Sequence, residues 1–514
     1  MTSAQPSSGS GGGSRERVAA LASWHHDWSG LRVAALGLGA TGFSVADTLV
    51  ELGARVRAIY GRPEPDRERL LDVIGAERAC AGSDDEQLAA LEDFDPELIV
   101  ISPGYPSHHP VIAWAAARGV TVWGDIELGW RLRDKTGRVA DWICITGTNG
   151  KTTTTQLTAH MLVAGGLRAI PAGNIGTPIL DALRDPIGYD VIVLELSSFQ
   201  LDRLHSMSPY ASACLNLADD HLDWHGGAEG YRAAKASIYE RTQVACVYNR
   251  ADAETERMVE EADVVEGARA ISFGLDTPPP SGFGVVDGIL VDRGFHAERH
   301  DSAYELVTVA ELASRGIGAP HMVQNILAAA ALARSRGVDP AEISSAVLSF
   351  TPDPHRAQQL GEWGGARWID DSKATNVHAA EASLRAYTGI VWVLGGLFKG
   401  VDISPLVAEH ARRLRGAVVI GADRAETLRI LAEHAPGVPV AEITADRGLD
   451  VMREAVRAAA ALAEPGDTVL LSPASASMDQ FVDYSDRGRS FQEALRELAL
   501  GADAAPEAED GAQA

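Results

Sequence analysis

At 514 residues the chain is too long for one ordinary core, so two to four domains are expected. Its formal charge of −26, with no block of Lys or Arg, excludes the cationic surface that nucleic-acid binding requires. The composition, 46% hydrophobic and 23% charged, is that of a soluble globular protein, and no apolar run reaches the roughly 18 residues that span a bilayer.

The N-terminal 14 residues are rich in Ser and Gly without an apolar core, which predicts a disordered lead-in and no export signal. Four widely spaced cysteines, Cys80, Cys144, Cys214 and Cys246, lack a C-x-x-C pair and fit the reduced thiols of a cytoplasmic protein. Residues 31–36 form an apolar strand that runs into Gly37-Leu38-Gly39-Ala40-Thr41-Gly42 and then a helix. This G-x-G-x-x-G turn suits a pyrophosphate, either of a nicotinamide dinucleotide or of a nucleotide sugar. The dinucleotide reading needs an acid at the end of the second strand, 55–60, where the chain instead reads Ile59-Tyr60-Gly61-Arg62. A further strand at 97–102 leads into Pro103-Gly104.

A second block opens with a strand at 142–146, followed by Gly147-Thr148-Asn149-Gly150-Lys151-Thr152 and a helical run at 153–163. Strand, glycine loop, lysine, hydroxyl and helix in this order make a phosphate-binding loop. Backbone N–H groups converge on phosphate, Lys151 neutralises it and Thr152 holds Mg²⁺. The spacing is one glycine short of the standard loop, with Ile145 in its place. Glu195 ends the strand 191–194, and Asp219-Asp220-His221 follows the strand 213–217. Alone, such an acid or histidine is more often a cap or a structural group. After successive parallel strands of a phosphate-loop block they point into the ligand crevice as candidate metal ligands. Residues 270–311 read as turn-rich and irregular, and an apolar helix at 323–335 closes the block. The third block has strands near 366–369, 390–394, 416–420 and 468–471, and an Ala/Glu/Asp-rich tail follows 501. Strands alternating with helices throughout define α/β architecture with mainly parallel sheets.

These residues resemble the Mur ligases of peptidoglycan synthesis. The phosphate loop, Glu195 and Asp220-His221 are shared with the wider family, folylpolyglutamate synthases included. Four more segments resemble its D-glutamate-adding branch. They are Ser102-Pro103-Gly104 with His109-Pro110; Trp123-Gly124-Asp125-Ile126-Glu127-Leu128; Asp371-Ser372-Lys373-Ala374-Thr375-Asn376; and the stretch from Leu471-Ser472-Pro473 through Ser475, Ser477, Met478 and Asp479 to Gln480-Phe481. The likeness spans about 31–498.

The resemblance implies three domains: a Rossmann-like UDP-substrate domain (15–138), a central ATPase domain on a P-loop parallel sheet (139–351), and a C-terminal Rossmann-like amino-acid domain (352–500), between tails 1–14 and 501–514. It implies an ATP-dependent ligase that adds D-glutamate to UDP-N-acetylmuramoyl-L-alanine through an acyl phosphate, with two Mg²⁺ ions, acting as a cytoplasmic monomer without membrane or nucleic-acid partners. It places ATP on Gly147, Thr148, Asn149, Gly150, Lys151, Thr152, Thr153, Asn325, His355, Arg356, Asp371 and Lys373. It places metal on Thr152, Glu195, His221 and a carbamylated Lys235, with Lys151, Lys235 and His221 in the catalytic centre. The UDP substrate falls to Gly39, Ala40, Thr41, Gly42, Ser102 and Asn174, and D-glutamate to Thr375, Lys399, Ser477, Met478 and Tyr484. Without the family, Lys235 reads as a solvated helix lysine, and Lys399 and Ser477 as ordinary loop polarity. Leu397, Met322 and Tyr484 depart from residues common in relatives. Other ligases of the family, or a nucleotide-gated binding protein that joins nothing, are the alternative readings.

Overall fold

A computed structural model describes residues 11–218, 220, 222–398 and 400–503. The chain parts near residue 350 into two compact units. Among the described residues the first unit carries two sheets and the second carries one, and no helix is long and apolar enough to cross a membrane.

The first sheet comprises β1 (Arg32–Leu36), β2 (Arg55–Tyr60), β3 (Glu77–Cys80), β4 (Leu98–Ile101) and β5 (Thr121–Gly124), all parallel, in the order β3-β2-β1-β4-β5. Strand order reverses between β1 and β4, where such sheets open a ligand crevice. Leu36 pairs with Ile101, so Gly37 and Ser102 leave the sheet side by side, and the Ser102 N–H donates to the Leu36 carbonyl at 3.0 Å. Gly37 has φ +98°, and a Cβ there would lie 2.6 Å from Ser102 Oγ. A Cβ on Gly42 would sit 2.2 Å from the Gly37 carbonyl oxygen. The first and last glycines of the turn are therefore demanded by close approach. Gly42→Ala is expected to cost about 1–3 kcal/mol through forced displacement of the turn. Urea unfolding measures this, and an unchanged midpoint would refute the close approach.

The second sheet holds β6 (Asp141–Thr146), β7 (Ala169–Gly173), β8 (Val191–Glu195), β9 (Ala211–Cys214), β10 (Ala245–Asn249), β11 (Arg269–Phe273), β12 (Gly282–Val286), β13 (Ile289–Asp292) and β14 (Tyr304–Thr308), in the order β14-β13-β12-β11-β10-β9-β6-β8-β7. Strands β7 to β12 and β6 pair in parallel, and β12-β13-β14 are antiparallel. Since β6 lies between β8 and β9, the segments after Thr146, Glu195 and Cys214 emerge together at one edge.

Two sequence expectations are corrected here. The 270–311 stretch is ordered: Asp287 (φ +50°) and Gly288 (φ +78°) form the left-handed pair of a tight hairpin turn between β12 and β13. The hairpin is fastened by Asp292, which is ion-paired to Arg334 at 2.8 Å and caps the Gly294 and Phe295 N–H groups. Residues 11–14 and 501–503, expected in disordered tails, instead belong to the helices Gly11–Ala20 and Tyr484–Asp503. The rest of both tails lies outside the described residues.

Within the first unit, partly buried and exposed polar pairs bridge the two sheets. Ser44 Oγ donates to Asp181 Oδ1 at 2.6 Å, and Arg184 pairs with Asp47 and Glu51.

The second unit holds β15 (Gln358–Trp363), β16 (Ala366–Asp370), β17 (Ile390–Leu394), β18 (Leu414–Val419), β19 (Val440–Glu442) and β20 (Thr468–Leu471), in the order β15-β16-β20-β17-β18-β19, with only β15 antiparallel among the described pairs. Asp370 and Val393 both register against Leu471, so the loops after β16, β17 and β20 leave the sheet as neighbours.

Candidate active site

The phosphate loop leaves β6 at Thr146 and enters the Lys151–Ala164 helix. Gly147 (φ +149°) and Gly150 (φ +84°) make its two bends, and a Cβ on Gly150 would lie 2.4 Å from Asn325 Oδ1. Asn325 is thus placed directly against the loop. The far side is closed by Asn216, which sequence reasoning missed. Its Oδ1 accepts from the Asn149 N–H (2.8 Å), its Nδ2 donates to the Asn149 carbonyl (3.1 Å), and its own carbonyl accepts from the Thr148 N–H (3.0 Å). With these amides occupied, the groups left for an anion are the first-turn N–H groups of the helix, which have no intrahelical acceptor, Thr153 among them. Lys151 Nζ curls over the loop and donates to the carbonyls of Gly147 (2.8 Å) and Thr148 (2.9 Å).

Glu195 is 2% exposed and accepts at one oxygen from Thr152 Oγ1 (2.7 Å) and at the other from Asn174 Nδ2 (2.9 Å). Asn174, expected against substrate, thus also holds the metal-ligand candidate. Lys235 comes in from the helix Ala228–Ala236 and is also 2% exposed. Its Nζ donates to the Gly147 carbonyl at 2.9 Å and Thr146 Oγ1 at 3.3 Å, which overturns the solvated reading. Burial first, and the nearby Lys151 ammonium second, lower its pKa to about 7. Asp220 and Glu195 oppose that shift, so both sit within electrostatic reach of the amine. His221 lies outside the described residues. Tyr231 lines this wall, its hydroxyl 3.1 Å from Thr148 Oγ1 and its ring 4.9 Å from Lys235 Nζ.

The Trp123–Leu128 motif does different work. Asp125 accepts from Gln200 Nε2 at 3.1 Å, and Glu127 accepts from Ser206 Oγ (2.7 Å), the His205 and Ser206 N–H groups (each 3.0 Å) and Arg131 Nε (2.8 Å). Both carboxylates fasten the end of the first sheet to the segment after β8. Burial pushes Asp125 from the ordinary 3.8 up to about 6. The folded chain therefore holds an extra proton between these values, and that contribution to stability is present below about pH 4 and lost as pH rises through about 6. Asp125→Asn is expected to stabilise the protein by about 1–3 kcal/mol at pH 7.5 and by little at pH 4. Paired denaturant curves at the two pH values check the sign.

In the second unit, His355 takes a left-handed conformation (φ +66°), with Nδ1 2.6 Å from Asp370 Oδ2. Gln492 Nε2 donates to Asp370 Oδ2 (2.8 Å) and Gln358 Oε1 (3.1 Å). Asp371 accepts from Ser383 Oγ (2.5 Å), Ser472 Oγ (3.2 Å) and the Ala357 N–H (3.1 Å), and burial pushes it up to about 6. Arg356 is half-buried beside this set. Lys373 Nζ lies 3.8 Å from the centre of the Tyr484 ring, so this departure from the common residue still offers an aromatic face.

The Thr375 N–H donates to the Lys373 carbonyl at 2.8 Å, Ser477 is buried, and Met478 is 62% exposed. Leu397 exchanges backbone hydrogen bonds with Ala476 (2.9 and 3.1 Å), so the β17 loop is paired with the β20 loop next to Lys399, itself outside the described residues. Met322 is buried.

Arg487, also missed from sequence, is 0% exposed. Its guanidinium donates to Ser372 Oγ (3.0 Å), the Ser372 carbonyl (2.8 Å) and the Ser475 carbonyl (3.1 and 3.2 Å). Burial lowers its pKa to about 10. One arginine thereby ties the loop after β16 to the loop after β20. Its signal in the sequence is only a basic residue within a helix.

A phosphate loop whose lysine, threonine and neighbouring-strand glutamate converge defines a nucleotide-dependent enzyme of the P-loop α/β class. Residues 32–124 match the Mur ligase MurD-like N-terminal domain, 145–333 the Mur ligase middle domain, and 355–475 the Mur ligase glutamate ligase domain. The chain belongs to the Mur ligase family, ATP-dependent enzymes that form amide bonds and work with Mg²⁺.

It is 60% identical, over 95% of its length and 97% of the relative's, to the UDP-N-acetylmuramoylalanine–D-glutamate ligase of Leifsonia xyli subsp. xyli. It is 49% identical, over 92% of its length and 99% of the relative's, to the ligase of the same name from Streptomyces coelicolor. Among solved structures, UDP-N-acetylmuramate-alanine ligase from Thermotoga maritima shares the fold, with TM-score 0.54 and 20% identity over 91% of this chain and all of that one.

Proposed function

We propose that this enzyme joins D-glutamate to UDP-N-acetylmuramoyl-L-alanine in peptidoglycan precursor synthesis, as a cytoplasmic monomer. The observation that carries this reading is the convergence of Lys151, Thr152, Glu195 and Lys235 on one loop, in a chain 60% identical to a D-glutamate ligase over nearly its full length.

The donors fit the cofactor. Mg²⁺ prefers hard oxygen ligands, and the Thr152 hydroxyl and the buried Glu195 carboxylate already face each other at 2.7 Å. When bound there, Mg²⁺ would spread the charge of the transferring phosphoryl group and leave little covalent chemistry to the protein. Lys151 and the first-turn amides from Gly150 to Thr153 hold the β- and γ-phosphates, and Asn149 with Asn325 shapes the loop around them. Lys235 Nζ, partly neutral near pH 7, can add to CO₂ with loss of a proton, and as a carbamate it would, together with His221, hold a second Mg²⁺. Its burial and lowered pKa support that chemistry, since an ammonium has no lone pair to give.

The substrate carboxylate takes the γ-phosphoryl group, so its oxygen leaves as phosphate when the amine of D-glutamate attacks. Gly39, Ala40, Thr41 and Gly42 offer the UDP pyrophosphate a helix N-terminus beside Ser102, and Asn174 reaches the muramoyl end. Thr375, Lys399, Ser477, Met478 and Tyr484 receive D-glutamate, whose two carboxylates need a cation and neutral donors. His355, Arg356, Asp371 and Lys373 contact the nucleotide.

The test is phosphate release with ATP and Mg²⁺. Release that requires both UDP-N-acetylmuramoyl-L-alanine and D-glutamate supports the assignment. Equal release with L-alanine or a diamino acid, or without any amino acid, overturns it in favour of another ligase of the family or a plain nucleotide hydrolase.

A further inference from the structure

Away from the phosphate loop, the helices Val377–Ala386 and Ser404–His410 bring Glu381, Glu409 and His410 together, with one ligand atom of each within 4.8 Å of the others. His410 is 1% exposed, and neither ring nitrogen has a hydrogen-bond partner. A buried imidazole without a partner costs about 1–3 kcal/mol per unsatisfied group, so its persistence calls for a ligand. A cation already sits at the carboxylates: Arg385, its side chain 59% exposed, donates from one nitrogen to Glu381 Oε1 (2.5 Å) and Glu409 Oε1 (3.0 Å). That exposure lets Arg385 swing into solvent. His378 Nδ1 stands 3.9 Å from Glu381 Oε2, within reach as a fourth donor.

We propose that Glu381, Glu409 and His410, with His378 completing the set, form a binding site for a borderline transition-metal ion, Zn²⁺ being the best match, which displaces Arg385. Imidazole with two carboxylates suits Zn²⁺, whereas Mg²⁺ takes oxygen donors and keeps its water. The site is therefore chemically separate from the Mg²⁺ chemistry of the phosphate loop. A bound ion clips the two helices together, and the first of them is capped by Asn376, the last residue of the Asp371–Asn376 motif, through its Oδ1 and the Ala379 N–H (2.9 Å).

The full chain is dialysed against Zn²⁺, with Mg²⁺ alone as a parallel arm, and bound metal is counted. Wild type is expected to hold one zinc that the double variant Glu381→Gln/Glu409→Gln binds at least about tenfold more weakly, since even outer partners of a metal ligand are worth that much. Both changes lie on the surface side of the cluster, so folding is retained. Arg385→Ala removes the competing cation and is expected to tighten zinc about three- to tenfold. Zinc should also raise the thermal midpoint of wild type and leave that of the double variant unmoved. Equal zinc binding by wild type and the double variant, or no gain in Arg385→Ala, overturns the proposal, as does a preference for Mg²⁺.

Discussion

Lys151→Met is expected to lower ligase turnover about 10³-fold at saturating ATP, with the fold intact. The ammonium donates to the carbonyls of Gly147 and Thr148 and is therefore held over the loop before any phosphate arrives. A positioned cation facing charge that grows in the transition state is worth roughly 10²–10³ in rate, and more in phosphoryl transfer. Methionine keeps the stem length and removes the charge, so the carbonyls return to backbone partners or water and the helix itself is unaffected. Single-turnover phosphate release measures the loss, and circular dichroism verifies the fold. Activity within tenfold of wild type would remove Lys151 from the phosphate site.

Lys235→Ala is expected to abolish measurable activity, at least about 10²-fold, with partial return on adding short carboxylic acids. The two halves of this result separate two roles. If Lys235 merely braces the loop through the Gly147 carbonyl and Thr146 Oγ1, small acids restore nothing, because they cannot replace a hydrogen-bond donor. If it becomes a carbamate ligand, the alanine leaves a cavity beside Glu195 that a small carboxylate fills with the same oxygens. Full activity of the variant without additive would exclude Lys235 altogether.

The ends of strands were the most legible part of the sequence. Glu195, Ser102 and the glycine turns sit where an apolar run stops and a turn begins, and strand order then sets them side by side. Lys235 could be placed only by resemblance, because a lysine on a short helix carries no local mark of burial. Asn216 and Arg487 were invisible for the same reason: their partners are backbone groups far along the chain, such as Asn149 and Ser372, and contacts of that kind leave no periodicity. The 270–311 hairpin is hard to read from sequence because Asp287-Gly288 joins strands only four or five residues long. The Trp123–Leu128 motif is visible in the sequence, yet its carboxylates serve cohesion between the first sheet and the segment after β8, a purpose sequence order alone does not disclose.

The clasp made by Arg487 carries an implication for anyone handling this protein. Because the guanidinium reaches both loops from the final helix, the closing stretch of the chain acts as a keystone for the Ser372 motif, 115 residues upstream, and for the Ser475 loop, 12 residues away. Trimming the chain back past Arg487, in the first turn of the Tyr484–Asp503 helix, would unlatch both motifs at once.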